Sequence, residues 1–128
     1  MNAARAYAKA NNETASRERL MVLLFETALR HMRMAAASLE TGRAVEALPL
    51  LTKASDIVTE LASTLNPAAA PELSQTLGSI YLFVSERLAV ASFSKQASVV
   101  REAERAFAPV VEGFQQAVAS MGAAAEAR

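Results

Sequence analysis

Catalysis needs a few polar groups that converge on one point, and the residues able to supply them are sparse in this chain. His31 is the only histidine and there is no cysteine. Thiolate ligands and disulfides are therefore excluded, and one imidazole without the Glu-x-x-His spacing of di-iron bundles does not make a transition-metal site. The four glycines, at positions 42, 78, 113 and 122, are too scattered for a phosphate-cradling loop. No Gly-x-Ser-x-Gly elbow occurs. The sequence predicts a protein that is not an enzyme and that uses no metal and no cofactor.

One chemical reading of His31 stays open as an alternative. A histidine projecting from a helical bundle is how phosphotransfer domains accept a phosphoryl group, and in those domains a Lys follows three residues on and a Gly four residues on. Here Met34 and Ala35 occupy these positions, so the shielding cation and the small gap are both missing. The bland reading, a packed or rim histidine, carries more weight.

The stronger signal is apolar. Leu20-Met21-Val22-Leu23-Leu24-Phe25 places six large apolar side chains in succession on a segment with helix-start residues before it. A helix that packs against one core needs only one apolar stripe, so the surplus must be covered by another segment or by a partner.

The elements that would carry this surplus follow from spacing. Apolar residues make up 52% of the chain and aromatics 5%, with no Trp, a composition that favours helix over strand. Lys plus Arg and Asp plus Glu both count 13. That balance argues against nucleic acid or an anionic membrane surface as partner. No apolar run approaches the roughly 20 residues needed to span a bilayer, and Met1 to Ala10 lacks the apolar core of a signal peptide. A cytoplasmic protein without membrane insertion is expected.

Residues 1–13 read as a flexible arm or a short helix, with Tyr7 as the only large anchor. Helix 1 is expected from Thr14 or Ser16, either able to cap it, to about Glu40. Leu20, Leu23, Leu24, Thr27, Ala28, His31, Ala35 and Leu39 could form one face, and Met21, Phe25, Leu29 and Met32 an adjacent stripe. Helix 2 covers Arg43 to Leu65, with Pro49 near its first turn and Asn66-Pro67 ending it. Pro71 opens helix 3, whose Gly78 suggests close packing. Ser94 is the expected cap at the next turn. Helix 4 follows, with a kink or break expected near Ala108 ahead of Pro109, and residues 122–128 as a frayed tail. Four helical patterns with short polar joints predict an all-α protein, an antiparallel four-helix bundle in a single domain over residues 1–128. A helix of 24 residues is roughly 36 Å long, so long grooves run between the helices.

Several segments together resemble the flagellin-specific export chaperone family, FliS. They are Tyr7, Thr14-Ala15-Ser16 and Leu24-Phe25-Glu26-Thr27-Ala28-Leu29, then Lys53-Ala54, Ile57, Leu61 and Ser63-Thr64-Leu65-Asn66-Pro67, then Leu73, Leu77, Tyr81, Arg87-Leu88 and Ala91. The likeness covers nearly the whole chain. Departures are Phe25 for Tyr, Thr27 for Gly, Asn66 for Asp and Phe114 where Trp is common.

The resemblance implies a chaperone that binds the disordered C-terminal region of flagellin, prevents premature polymerisation and keeps the subunit export-competent, with export-gate components as further partners. The surplus apolar surface suits a client that folds as helices into grooves and buries on the order of 1,000–3,000 Å². Tyr7 is the expected arm contact, and Met21, Phe25, Ile57, Leu61, Leu65, Tyr81 and Leu82 are the candidate groove residues, although each of these seven has core spacing too. The competing reading is a structural bundle that closes its surplus face by self-association. The free chain is expected as a monomer or weak dimer.

Overall fold

Alanine sets how closely the helices approach one another. Ala28, Ala35 and Ala36 of the first helix, Ala47 and Ala54 of the second, Ala91 of the third and Ala103 of the fourth are all completely buried. A methyl group at each seam lets neighbouring backbones come close. Phe25, Met32, Leu51, Val58, Leu61, Tyr81, Val84, Leu88, Phe107 and Val111 fill the space between the seams, at the three- and four-residue steps that put one face of each helix inward.

The computed structural model describes residues 3–126; the side chains of residues 6–15 and 123–126 lie outside the described set. The helices are α1 (Ala3–Glu40), α2 (Ala44–Ser63), α3 (Pro71–Ser94) and α4 (Ala97–Glu126). Each packs on its neighbour in sequence and α4 closes the ring against α1, while the backbones of the diagonal pairs stay apart among the described residues. Residue pairs fix the directions. Phe25 meets Phe114, Arg33 meets Glu104 and Glu40 meets Arg101, so α4 descends as α1 ascends. Tyr81 with Phe107 and Arg87 with Glu102 show the same for α3 and α4. The architecture is the expected antiparallel four-helix bundle.

Several boundaries differ from expectation. α1 begins at Ala3, not at Thr14 or Ser16, so the arm's backbone is a continuation of the helix. The sequence Ala-Ala-Arg-Ala-Tyr-Ala-Lys-Ala is made largely of strong helix formers, and a residue able to cap a helix does not oblige one to start there. α4 runs unbroken through Ala108 and Pro109, and past Gly122 to Glu126. The reason is visible at both internal prolines. Pro49 and Pro109 are exposed, and so are Val45 and Arg105 four residues earlier. The carbonyl that loses its partner in each case lies on the wet side, where water replaces the bond. α2 ends at Ser63, and Leu65 belongs to the following joint.

The face assignment on α1 is also corrected. Phe25, Leu29 and Met32 are buried together with Ala28 and Ala35, whereas Leu20 and Leu23 are exposed by 56% and 55%. Gly78 does not mark a tight crossing: a Cβ there would meet Leu65 Cδ1 at 3.7 Å, an ordinary contact. At the α3–α4 corner, Lys95 takes the left-handed conformation (φ 57°) and the Ser94 hydroxyl accepts a hydrogen bond from the Gln96 amide at 3.4 Å.

Candidate functional site

The α2–α3 joint is where the bundle opens. Asn66 folds it back: its carbonyl accepts from the Ala70 amide at 3.0 Å and its side-chain oxygen from the Ala69 amide at 3.3 Å. Pro67 and Pro71 restrict the backbone on either side. This short turn holds Leu65 over the end of the core and leaves a groove of about 210 Å3 beneath it. Phe25 of α1, Tyr81 of α3 and Phe114 of α4 form the floor, and Met21, Leu65, Leu73 and Leu77 the walls. The Phe25 and Phe114 ring centroids are 4.9 Å apart, Phe25 and Phe107 5.9 Å, and Tyr81 and Phe107 6.5 Å, so the floor is a packed aromatic cluster.

No Asp, Glu, Lys or Arg lines this groove. Burial pushes the Tyr81 hydroxyl above its ordinary pKa, so no charge arises there at neutral pH. Leu73 sits on the bundle side of α3 yet is 57% exposed, because the core stops short of it. Leu20 and Leu23 are exposed on the outer side of α1, away from the groove-lining Met21 and Phe25. The groove surface selects apolar side chains and is indifferent to charge.

Of the expected site residues, the structure brings Met21, Phe25, Leu65 and Tyr81 together in this one groove. Leu61 is corrected: it is completely buried, since its step along α2 puts it on the innermost line, and it offers a partner no surface. Ile57 is half-buried against the core outside the groove. Leu82 is exposed on the outer side of α3, away from the groove. The side chain of Tyr7 lies outside the described residues. Leu73, Leu77 and Phe114 belong to the groove, although Leu73 and Leu77 entered the sequence reading only among the segments that carry the family resemblance and Phe114 only as a departure from it. The signal that could have found them is the proline-bounded joint that uncovers that end of the core.

His31 is half-buried, and its Nδ1 is buried without a hydrogen-bond partner. Burial, with Lys53 and Arg30 nearby, lowers its pKa below the ordinary histidine value, which describes a packed neutral imidazole. Among the described residues no group of acidic, His or Cys side chains could hold a metal ion, and no helix is long and apolar enough to cross a membrane.

Away from the groove, charges clamp α1 to α4. Arg101 donates to Glu40 and to Glu104, both at 2.7 Å, and Arg33 donates to Glu104 at 3.0 Å. Burial alone would raise the Glu104 pKa, but the hydrogen bonds from Arg101 and Arg33 outweigh it and hold the carboxyl below its ordinary value. The carboxylates of Glu40 and Glu104 raise that of Arg101.

Residues 1–121 match the family described as flagellar protein FliS. The chain belongs to the FliS family. It is 29% identical over 115 residues to the flagellar secretion chaperone FliS of Bacillus subtilis (strain 168), covering 90% of this chain and 85% of that protein. A bacterial flagellar chaperone of known crystal structure superposes with a TM-score of 0.71 at 18% identity, over 81% of this chain and 85% of the other. At that identity the likeness bears on the fold, and this FliS chain shares its helical architecture.

Proposed function

We propose that this FliS protein is a cytoplasmic export chaperone that binds the disordered C-terminal region of flagellin, prevents its premature polymerisation and keeps it export-competent. The observation that carries the reading is the charge-free, aromatic-floored groove at the α2–α3 joint. A whole helix is about 10–12 Å across, so a groove of 210 Å3 receives anchoring side chains while the rest of the client helix lies over its mouth at exposed Leu73. No bond is made or broken. The client's apolar side chains lose water as its helices form, and their burial offsets the ordering cost. Tyr7 enters as a further client contact, and the loaded complex is handed to export-gate components. The free chain is a monomer or weak dimer.

Calorimetry of the full chain with a flagellin C-terminal peptide tests this. A 1:1 complex with a negative heat-capacity change is expected. Leu73→Asp, at an exposed position that leaves the bundle intact, should weaken it about tenfold or more by placing a carboxylate in the groove mouth. Full affinity in Leu73→Asp, or no heat with the unaltered chain, would end the groove reading.

A further inference from the structure

The aromatic-floored groove is not wholly hydrocarbon. Ser74 and Tyr81 line it, are 7% and 3% exposed, and lie about two turns apart on one side of α3. Neither hydroxyl has a hydrogen-bond partner among the described residues, although a buried tyrosine hydroxyl ordinarily finds one. The unpaired side-chain atoms that are sealed off completely are His31 Nδ1 and Arg87 Nε, so the Ser74 and Tyr81 hydroxyls still open on the groove. Asn66 adds a third group. Its side-chain oxygen is taken by the Ala69 amide at 3.3 Å, which leaves its NH2 group, a donor of two hydrogens, without a partner among the described residues. Thr64, by contrast, is committed: its hydroxyl donates to the Leu61 carbonyl at 2.7 Å.

Solvent satisfies these three groups while the groove is open. A client that seals the groove removes that solvent, and a purely apolar anchor would leave the hydroxyls and the amide unpaired. A charged anchor fares worse, because no Asp, Glu, Lys or Arg lines the groove to compensate a desolvated charge. Main-chain carbonyls do not serve either: a groove of about 210 Å3 is too small for a whole helix, whose internal carbonyls are already bonded. A client hydroxyl offers one oxygen to three groups. A carboxamide offers a carbonyl with two lone pairs to the Asn66 NH2 and a hydroxyl, and two N–H donors to the hydroxyl oxygens. We infer that Ser74, Tyr81 and Asn66 are specificity-determining contacts that select a Gln or Asn side chain of the client among its apolar anchors.

This inference rests on the groove reading and says which anchor that groove prefers. It also belongs to this chain in particular, since Asn66 stands where the family pattern has Asp. An Asp could accept from the same Ala69 amide and keep the turn, but it would bring a charge and no donor.

The test is calorimetry with the flagellin C-terminal peptide on the full native chain, on Tyr81→Phe, on Ser74→Ala and on the double variant. Each single change removes one hydroxyl and should weaken binding about threefold to tenfold, and the double variant more. The free variants should unfold at or above the native midpoint, because a buried hydroxyl without a partner is gone. An earlier midpoint would show that the hydroxyl is bonded inside the bundle and would overturn the inference. Peptides in which each Gln and Asn is replaced in turn by Leu identify the anchor. One of them should bind the native chain more weakly yet lose nothing further on the double variant, whereas replacing apolar, Ser or Thr residues of the peptide should add independently. Undiminished affinity in the double variant, or coupling to no Gln or Asn, overturns the inference, and a loss with Leu73→Asp in the same series leaves the groove reading standing. No heat with the native chain would end the groove reading and this inference with it.

Discussion

At the level of single residues, burial decides between roles that spacing leaves tied. Leu61 and Leu65 sit one helical turn apart and look equivalent on a wheel, yet Leu61 is in the core and Leu65 is a groove wall. Leu61→Ala should therefore cost about 2–5 kcal/mol in chemical unfolding, while client affinity of the still-folded fraction stays unchanged. Gly78 makes the opposite prediction. It is inside α3 with room for a methyl group, so Gly78→Ala should raise stability by about 0.5–1 kcal/mol. His31 gives a pH dependence whose sign is fixed by its lowered pKa. Below the ordinary histidine value near 6.5 the unfolded chain takes up a proton that the native imidazole resists, so this contribution to stability is full above that pH and falls as the solution is acidified. Unfolding midpoints at pH 7.5 and 5.5 should differ more for the native protein than for His31→Gln.

Among the elements, α1 and α3 show what the sequence makes legible and what it hides. The four helices, their order and the proline-marked α2–α3 joint were readable because three- and four-residue apolar spacing and proline placement are local signals. The length of α1 was not, since Ser16 and Thr14 look like caps while the alanines before them simply continue the helix. The fate of Pro109 was hidden too, because it depends on which side of α4 meets water. Only four of the expected contacts gather in the groove: an apolar stripe reveals that a face is covered, not whether core or client covers it. The α1–α4 clamp likewise needed the fold, as Arg33 and Glu104 are 71 residues apart. Glu104→Gln removes the charge that Arg101 and Arg33 share and should destabilise the bundle by about 1–2 kcal/mol. Because the Glu104 pKa is lowered, the clamp contributes fully above the ordinary carboxylate range and is lost as pH falls through and below it. Acid titration of Glu104→Gln should accordingly show a shallower loss than the native protein.

For the molecule as a whole, the proposed function would couple to the fold through the end of the bundle that its own core leaves open. A client that fills the groove binds only the folded state, so its binding energy adds to stability by mass action. At a hundredfold excess over Kd that addition is about 2.7 kcal/mol. With an unfolding entropy near 2.1 cal/mol/K per residue and 128 residues, it corresponds to a rise of about 10 °C in Tm. Scanning calorimetry of the full chain with and without the flagellin C-terminal peptide measures it. Leu73→Asp should keep nearly the native Tm when free, because Leu73 is already exposed, yet lose most of the client-induced rise. Leu61→Ala should behave in reverse, with a lower free Tm and a preserved rise wherever the bundle remains folded. A client shift that follows the core substitution and ignores the groove substitution would mean that the peptide stabilises the bundle from some other surface.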